Sequence, residues 1–155
     1  MNRHDRRLRF LHVNRARVRT QGVELLARWQ PHPTLWLTAE ATWLEAEDLS
    51  DGAPPLLYEP RWQGGGALTW QPTPRVSLRV ALRAVSSYRD NQIPVPDRDT
   101  VAGYGLLGVA GWWRVHGGWT LRAHLENATD GQYETLIGFP GPGRSVWFGV
   151  GWERS

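Results

Sequence analysis

The chain has 155 residues, of which 41% are hydrophobic, so a disordered tail is excluded and one domain of ordinary size is expected. No apolar run approaches the roughly 20 residues that a membrane-spanning helix needs, and the absence of Cys excludes disulfides and thiolate metal sites. The formal net charge is +3, and since all 18 Lys-or-Arg positions are Arg, charge alone is a poor indication of nucleic-acid binding.

Residues 1–12 form a basic N-terminal segment that contains Arg3, Arg6, Arg7 and Arg9. The segment lacks the apolar stretch of a secretory signal peptide. We predict that it is a loop or a partial strand, followed by a strand-rich region that spans residues 13–155.

From residue 13 onward the dominant period of hydrophobicity is two, which predicts strands. Between Thr34 and Trp43, Leu and Ala alternate with Thr, Trp and Glu, and between Val76 and Ala84, Val and Leu alternate with Ser, Arg and Ala. Several segments match the roughly 9–11 residues of a tilted membrane-spanning strand. Seven strands are predicted, at residues 13–30, 34–47, 61–71, 75–88, 101–115, 118–128 and 144–153.

The connections between these strands alternate in length. Short turns are predicted at 30–33, 71–74 and 115–118, and long loops at 48–60, 90–100 and 128–143. Short turns on one side and long loops on the other are typical of an outer-membrane barrel, whereas a β-sandwich has no reason to sort its loops by side. We therefore predict an all-β fold, an antiparallel up-and-down meander of about seven long strands that forms part of a transmembrane β-barrel.

The ten Trp residues are several times ordinary usage. Many lie within a few residues of a predicted short turn, which indicates an aromatic girdle at one membrane interface. Trp36 and one of the Trp112/Trp113 pair have inward parity and do not fit. The alternative is that Trp packs a soluble core. The predicted girdle residues are Trp29, Trp70, Trp119 and Trp152.

Charged residues lie opposite the apolar face of several strands. In a barrel they would line a wet lumen, and in a sandwich they would form the solvent face, so parity alone leaves both possibilities open. The predicted lumen-facing polar residues are Glu24, Arg28, Glu40, Arg79, Arg83, Arg122 and His124, with Glu126 as a further candidate.

Three stretches resemble the C-terminal barrel portion of a TonB-dependent outer-membrane receptor. Residues 14–25 look like that family's Asn…Gly-Val-Glu strand, residues 126–133 resemble its Asn-Leu-x-Asp-x-x-Tyr segment, and residues 138–144 look like the loop before its last strand. Tyr58-Glu-Pro60 and the glycines at 64–66 fit in the same order. The positions that match the family motif are Gly22, Glu24, Asn127, Asp130, Tyr133, Gly143 and Arg144.

The resemblance implies a protein of the outer membrane that takes part in TonB-dependent active import of a scarce nutrient, such as a metal–siderophore complex or cobalamin. The implied partners are outer-membrane lipid, a small-molecule metal-chelate ligand and TonB, which acts through a plug domain that these residues do not contain. Because the plug, a signal peptide and an eighth strand are missing, we expect a fragment that does not transport alone. The end at Glu153-Arg154-Ser155 departs from the family's terminal aromatic residue.

Motifs for other functions do not hold together. Gly103-Tyr-Gly105-Leu-Leu-Gly108 matches a dinucleotide-binding pattern, but a strand-like segment follows it where a helix is needed. The five His residues lack ligand spacing, and the acidic pairs Asp48/Asp51 and Asp97/Asp99 read as solvated loop residues. We expect no enzymatic activity, cofactor, metal site or nucleic-acid partner. The main rival is a soluble, Trp-rich β-sandwich that binds carbohydrate; a basic nucleic-acid-binding module is weaker.

Overall fold

A computed structural model describes residues 17–50, 56–57, 59–90 and 98–153. The basic segment 1–12, the family-like positions Asn14 and Tyr58, and the loop aspartates Asp51 and Asp97 lie outside these ranges. The described residues form strands β1 (Val18–His32), β2 (Leu35–Asp48), β3 (Trp62–Thr73), β4 (Val76–Val85), β5 (Tyr88–Arg89), β6 (Thr100–Val101), β7 (Tyr104–Arg114), β8 (Trp119–Glu126), β9 (Glu134–Leu136), β10 (Phe139–Pro140) and β11 (Ser145–Trp152).

Seven of these strands form one antiparallel sheet in the order β1-β2-β3-β4-β7-β8-β11. Each strand pairs with the next long strand along the chain, so the sheet is an up-and-down meander, which confirms the predicted fold class. The predicted strand at 75–88 is too long, because β4 ends at Val85. At Ser86 the backbone N–H still donates to the Trp62 carbonyl, but the Trp62 N–H donates to the Ser86 hydroxyl instead of to a backbone carbonyl.

The three short turns lie at one end of the sheet, which we call the short-turn end, and the opposite end is the long-loop end. Two of the turns follow a register shift, one between Trp29 and His32 and the other between Trp70 and Thr73. Each shift contains a proline, Pro31 or Pro72, which has no N–H to give to the ladder. The third turn is a single 3-10 turn at His116–Gly118.

The long-loop end contains two short hairpins. β9 and β10 lie within the predicted loop 128–143, whereas β5 begins at the last residue of the predicted strand 75–88, and β6 lies where the predicted loop 90–100 meets the predicted strand 101–115. β5 pairs with β6 in a second, two-stranded sheet, and β9 pairs with β10 in a third. Each strand has only two or three residues, too few to give a readable alternation. Both hairpins lie at the long-loop end.

The sheet register separates two faces. One row of directly opposed residues crosses all seven strands and is apolar throughout: Trp29, Leu37, Leu68, Val80, Val109, Leu125 and Val146. We call the side that bears this row the apolar face. The adjacent row lies on the other side, the polar face, and contains Trp36, Thr69, Arg79, Ala110, His124 and Trp147.

The apolar face is open. Phe148 is 82% exposed and Val150 is 67% exposed, and among the described sheet residues the buried hydrophobic ones are Ala67 and Val85. No second layer of described residues packs on this face, so the β-sandwich alternative is wrong: a sandwich would bury it against another sheet. The described residues contain no helix suited to crossing a bilayer.

Candidate functional site

The seven predicted lumen residues share one side of the sheet. Glu24 lies opposite Thr42, Arg28 opposite Thr38, and Glu40 opposite both Leu26 and Gly65. The register continues in the same parity to the remaining four, which are Arg79, Arg83, Arg122 and His124. The structure therefore brings these side chains together on the polar face, and their role in lining a lumen remains a prediction.

A cavity of about 450 Å³ lies on this polar face, below the last long loop. The strands supply two cations and two anions to its wall, and the loop supplies Tyr133, Pro142 and Gly143. The cavity therefore balances opposite charges and would suit a polar ligand or a polar protein segment. The four charged residues are Glu40, Arg79, Arg83 and Glu126.

Few of these charged groups are tied to one another. Arg79 donates a hydrogen bond of 3.2 Å to the Thr69 hydroxyl, and the His124 ring lies 3.8 Å from a Glu126 carboxylate oxygen. A second cavity of about 380 Å³ extends along the same face between Arg79, Arg122 and His124. Charged and hydrogen-bonding groups therefore continue along the polar face beyond the first cavity.

The family-motif residues near the end of the chain form one hydrogen-bonded loop. The buried Asn127 donates its side-chain amide to the carbonyls of Gly131 and Pro142, at 2.9 and 3.1 Å, and accepts the Gly131 N–H at 2.9 Å. Asp130 accepts the Arg144 N–H at 2.9 Å. Asn127 therefore joins the two ends of the loop, and Asp130 fixes the start of the final strand.

Two of these residues adopt backbone conformations that are uncommon for a side chain larger than Gly. Asn127 has φ of 46° and Asp130 has φ of 54°. Asn and Asp tolerate this left-handed region best because their side chains bond to nearby backbone groups, as both do here. This gives the Asn-x-x-Asp spacing of residues 127–130 a physical reason.

Tyr133 joins the loop to the sheet and lies against the backbone at Gly141. The Tyr133 ring stacks on Tyr104 of β7 with ring centroids 4.6 Å apart, and its carbonyl accepts the Gly141 N–H at 2.8 Å. Any side chain at Gly141 would collide with the Tyr133 ring. The contact between the Tyr133 and Tyr104 rings joins the loop to the sheet. The absence of a side chain at Gly141 lets the loop backbone pass close to the Tyr133 ring.

The first motif lies on β1, far from the loop along the sheet. A Cβ at Gly22 would lie 2.5 Å from the Trp43 carbonyl oxygen, so a side chain there would displace the neighbouring strand. Glu24 follows on the polar face opposite Thr42. The structure gives Gly22 a packing role and leaves Glu24 as an exposed carboxylate on the polar face.

The four Trp residues of the predicted girdle lie on one side of the sheet at one end of it, and their role at a membrane interface remains a prediction. Trp29, Trp70, Trp119 and Trp152 all have apolar-face parity and all lie near the short-turn end. Trp113 shares this parity, since it lies opposite Val76 and Leu121. Trp36, Trp112 and Trp147 lie on the polar face and are outside the girdle.

A second aromatic border was missed. Trp43 and Trp62 lie directly opposite each other on the apolar face at the long-loop end, with ring centroids 6.2 Å apart. On β3, Trp62 and Trp70 are eight residues apart, which is about 27 Å of strand. With a tilt of about 35–45°, that length crosses about 19–22 Å of membrane, slightly less than the apolar band of about 25 Å in such barrels. The sequence signal for this border is that Trp43 and Trp62 both have outward parity at the long-loop ends of their strands.

The loop residues Tyr88, Asp90 and Ile137 were not singled out by sequence reasoning. Tyr88 donates its hydroxyl to the Thr135 carbonyl at 2.6 Å, and the Ile137 N–H donates to an Asp90 carboxylate oxygen at 2.7 Å. Partners 47 positions apart leave no local pattern to read. These residues connect the two loop hairpins.

Two loop groups have shifted acidity. Burial raises the pKa of the Tyr88 phenol, and the charges of Tyr104 and Asp90 raise it further. The hydrogen bond from Arg98 lowers the pKa of the exposed Glu134 carboxyl. At neutral pH Tyr88 therefore keeps the proton that it donates, and Glu134 keeps the charge that it pairs with Arg98.

The described residues contain no cluster of His, Asp or Glu that would hold a metal ion. Asp48 caps the chain beyond β2 by accepting the Ser50 N–H at 3.0 Å, and Asp99 pairs with Arg89 at 3.5 Å. Both aspartates are thus used in loop structure. Their partners in the proposed acidic pairs, Asp51 and Asp97, lie outside the described ranges.

An antiparallel sheet with an open apolar face, a polar opposite face and Trp at both borders is the wall of a transmembrane β-barrel. Residues 2–128 match the family described as TonB dependent receptor-like, beta-barrel. The chain belongs to this family, and its place is the outer membrane. No curated protein matches the chain in sequence.

Solved structures of similar fold are whole receptors. They include the ferric-catecholate import receptor Fiu from E. coli K12 (18% identity, TM-score 0.72), the copper transporter OprC (25%, 0.71) and the siderophore receptor PiuA from Acinetobacter baumannii (16%, 0.69). The matches cover 86%, 87% and 86% of this chain but 20%, 23% and 21% of those proteins. The chain thus spans about a fifth of their length.

Proposed function

We propose that the chain provides wall strands of an outer-membrane receptor that imports a scarce nutrient as a small-molecule metal chelate, either a metal–siderophore complex or cobalamin. The import is TonB-dependent, and TonB acts through a plug domain. The role is transport rather than catalysis. The observation that carries the proposal is the apolar row that crosses all seven strands, bordered by Trp at both ends.

The sheet edges support a larger barrel. Within the described residues, β1 pairs only with β2, and β11 pairs only with β8. Lipid offers no hydrogen bonds to the free N–H and C=O groups of a strand edge, so both edges need partners in the membrane. We propose that further strands of the receptor pair with them.

The polar face and the loops supply the route for the nutrient. The long loops meet the ligand on the outside, because short turns face the periplasm in outer-membrane barrels. The charged cavity under the last loop lies on the inner side of the wall and offers Arg83 and Glu40 as hydrogen-bonding groups. The relatives named as siderophore and copper transporters support a metal chelate as ligand.

Uptake measurements test the proposal. Cells that carry the intact gene, a deletion or no TonB are supplied with radiolabelled ferric siderophores and, separately, with labelled cobalamin. We expect one of these ligands to accumulate only when both the gene and TonB are present. Equal accumulation of every ligand in all three strains would overturn the import proposal.

Point variants then connect uptake to the polar face. Arg83→Gln removes a charge from the cavity wall and is expected to reduce uptake severalfold, whereas Arg75→Gln changes an exposed residue at the short-turn end and is expected to have no effect. Equal amounts of both variants in the outer membrane are required. Identical uptake by the two variants would contradict a role for the cavity.

A further inference from the structure

The most deeply buried side chains of the described residues lie in the loops and not in the sheet. Asp90 is 1% exposed, Val101 is 0% exposed and Ile137 is 1% exposed. Asp90 directly follows β5, Val101 belongs to β6, and Ile137 lies in the turn between β9 and β10. The loops therefore have a small core of their own, to which both hairpins contribute.

Three polar contacts cross between the two hairpins. The Tyr88 hydroxyl donates to the Thr135 carbonyl at 2.6 Å, the Ile137 N–H donates to Asp90 Oδ2 at 2.7 Å, and the Arg98 guanidinium pairs with the Glu134 carboxylate. The residues that these contacts join are 47, 47 and 36 positions apart. Each contact therefore holds one long loop against the other.

Of the three contacts, the one between Asp90 and Ile137 is buried. The tip of the β9–β10 hairpin, at Ile137, has its N–H inside the loop core, where losing the Asp90 acceptor would leave that donor unsatisfied. The hydrogen bond from Tyr88 to Thr135 lies nearer the surface, and the phenol, whose pKa is raised above its usual value, is a donor at neutral pH. The Arg98–Glu134 pair is also partly exposed and adds little by itself.

We propose that the β5–β6 and β9–β10 hairpins form one cooperative unit, the latched cap, so that neither hairpin opens without the other. The cap is anchored to the sheet by the stacking of Tyr133 on Tyr104. Since Tyr133, Pro142 and Gly143 also line the cavity over the polar face, the cap forms a fixed part of its roof. This inference goes beyond the proposed import function and holds for any ligand.

Hydrogen exchange in the full protein, extracted from outer membranes into detergent, tests the coupling. Tyr88→Phe removes one hydroxyl from the β5–β6 side. We expect amide exchange of residues 134–140, on the other hairpin, to rise about fivefold, the effect of losing one hydrogen bond. Arg89→Gln is the matched control: it breaks an exposed ion pair with Asp99 inside the β5–β6 side and is expected to leave 134–140 unchanged.

A second variant enters the core. Asp90→Ala removes the acceptor of the Ile137 N–H, and we expect a larger rise over 134–140 together with a rise over 98–101. If this variant does not assemble, Tyr88→Phe alone decides. Faster exchange confined to residues 88–90 and 98–101, with 134–140 as slow as in the unmodified protein, would overturn the latched cap while leaving import untouched.

Discussion

The indole rings of Trp43 and Trp62 lie 6.2 Å apart on neighbouring strands, at the point where the apolar face meets the long loops. Trp prefers membrane interfaces because its ring is apolar while its N–H needs a polar partner. Trp43 and Trp62 mark one border of the proposed lipid-covered band, and the girdle at the short-turn end marks the other.

These borders can be located by fluorescence quenching in lipid bilayers. We expect Trp62→Phe and Trp70→Phe each to remove emission that quenchers near the lipid headgroups reach and that quenchers at the chain ends do not. Trp147→Phe is the control, because Trp147 lies on the polar face opposite His124 and its emission is expected to be shielded from both lipid quenchers. Strong quenching of Trp147 by lipid would mean that the faces are assigned the wrong way round.

Asn127 is expected to be the most sensitive residue of the last loop. Asn127→Ala deletes three side-chain hydrogen bonds and places Ala at a φ of 46°, so we predict a loss of about 3 kcal/mol in the stability of this loop. Asn127→Gly removes the same bonds without the backbone strain. Local exchange of residues 128–144 measures both, and the Gly variant should lie between Ala and the unmodified protein.

A side chain at Gly141 should disturb the loop more than its small size suggests. The added Cβ of Gly141→Ala would collide with the Tyr133 ring, so either the ring leaves Tyr104 or the loop moves away. Gly138→Ala is a comparison with open space around the Cβ but a φ of 82°, and its cost comes from the backbone alone. Near-ultraviolet circular dichroism should show loss of the tyrosine signal for the first variant and its retention for the second.

The ion pair between Arg98 and Glu134 should weaken in acid. The pKa of Glu134 is lowered in the folded protein, so its stabilising contribution is present above the ordinary carboxyl pKa and is lost as the pH falls through the lowered value. We expect Glu134→Gln to raise loop exchange about twofold at pH 6, as is typical of an exposed pair, and to have progressively less effect as the pH falls through the lowered pKa. A difference that persists at low pH would show that charge pairing is not what Glu134 contributes.

The strands could be predicted from the sequence because alternation of side chains along a strand is a local property. The parity of the row from Trp29 to Val146 follows from period two, and the short turns fix the register within the three strand pairs that they join. The same alternation predicts that Arg79 and His124 lie on one side of the sheet.

The loop structure could not be predicted in the same way. β5 and β6 have two residues each, and what holds them is Tyr88 reaching Thr135 and Asp90 reaching Ile137, contacts across 47 positions. No period or turn motif encodes such a pairing. The Trp43–Trp62 border has a signal in the sequence, because both residues have outward parity at the long-loop ends of their strands.

We propose that lipid covers the apolar face of the sheet and that water covers the polar face. Leu25 and Leu26 are adjacent on β1, 63% and 64% exposed, and point to opposite sides, since Leu25 lies opposite Ala41 and Leu26 opposite Glu40. The two leucines are equally exposed and differ mainly in the face of the sheet on which they lie.

The deciding measurement is the stability of Leu25→Arg and Leu26→Arg in a lipid bilayer. We expect Leu25→Arg to destabilise the membrane-inserted protein by about 2–4 kcal/mol and Leu26→Arg, which lies beside Glu40 on the polar face, to change its stability by less than about 1 kcal/mol. Equal losses for the two variants, or a greater loss for Leu26→Arg, would contradict it.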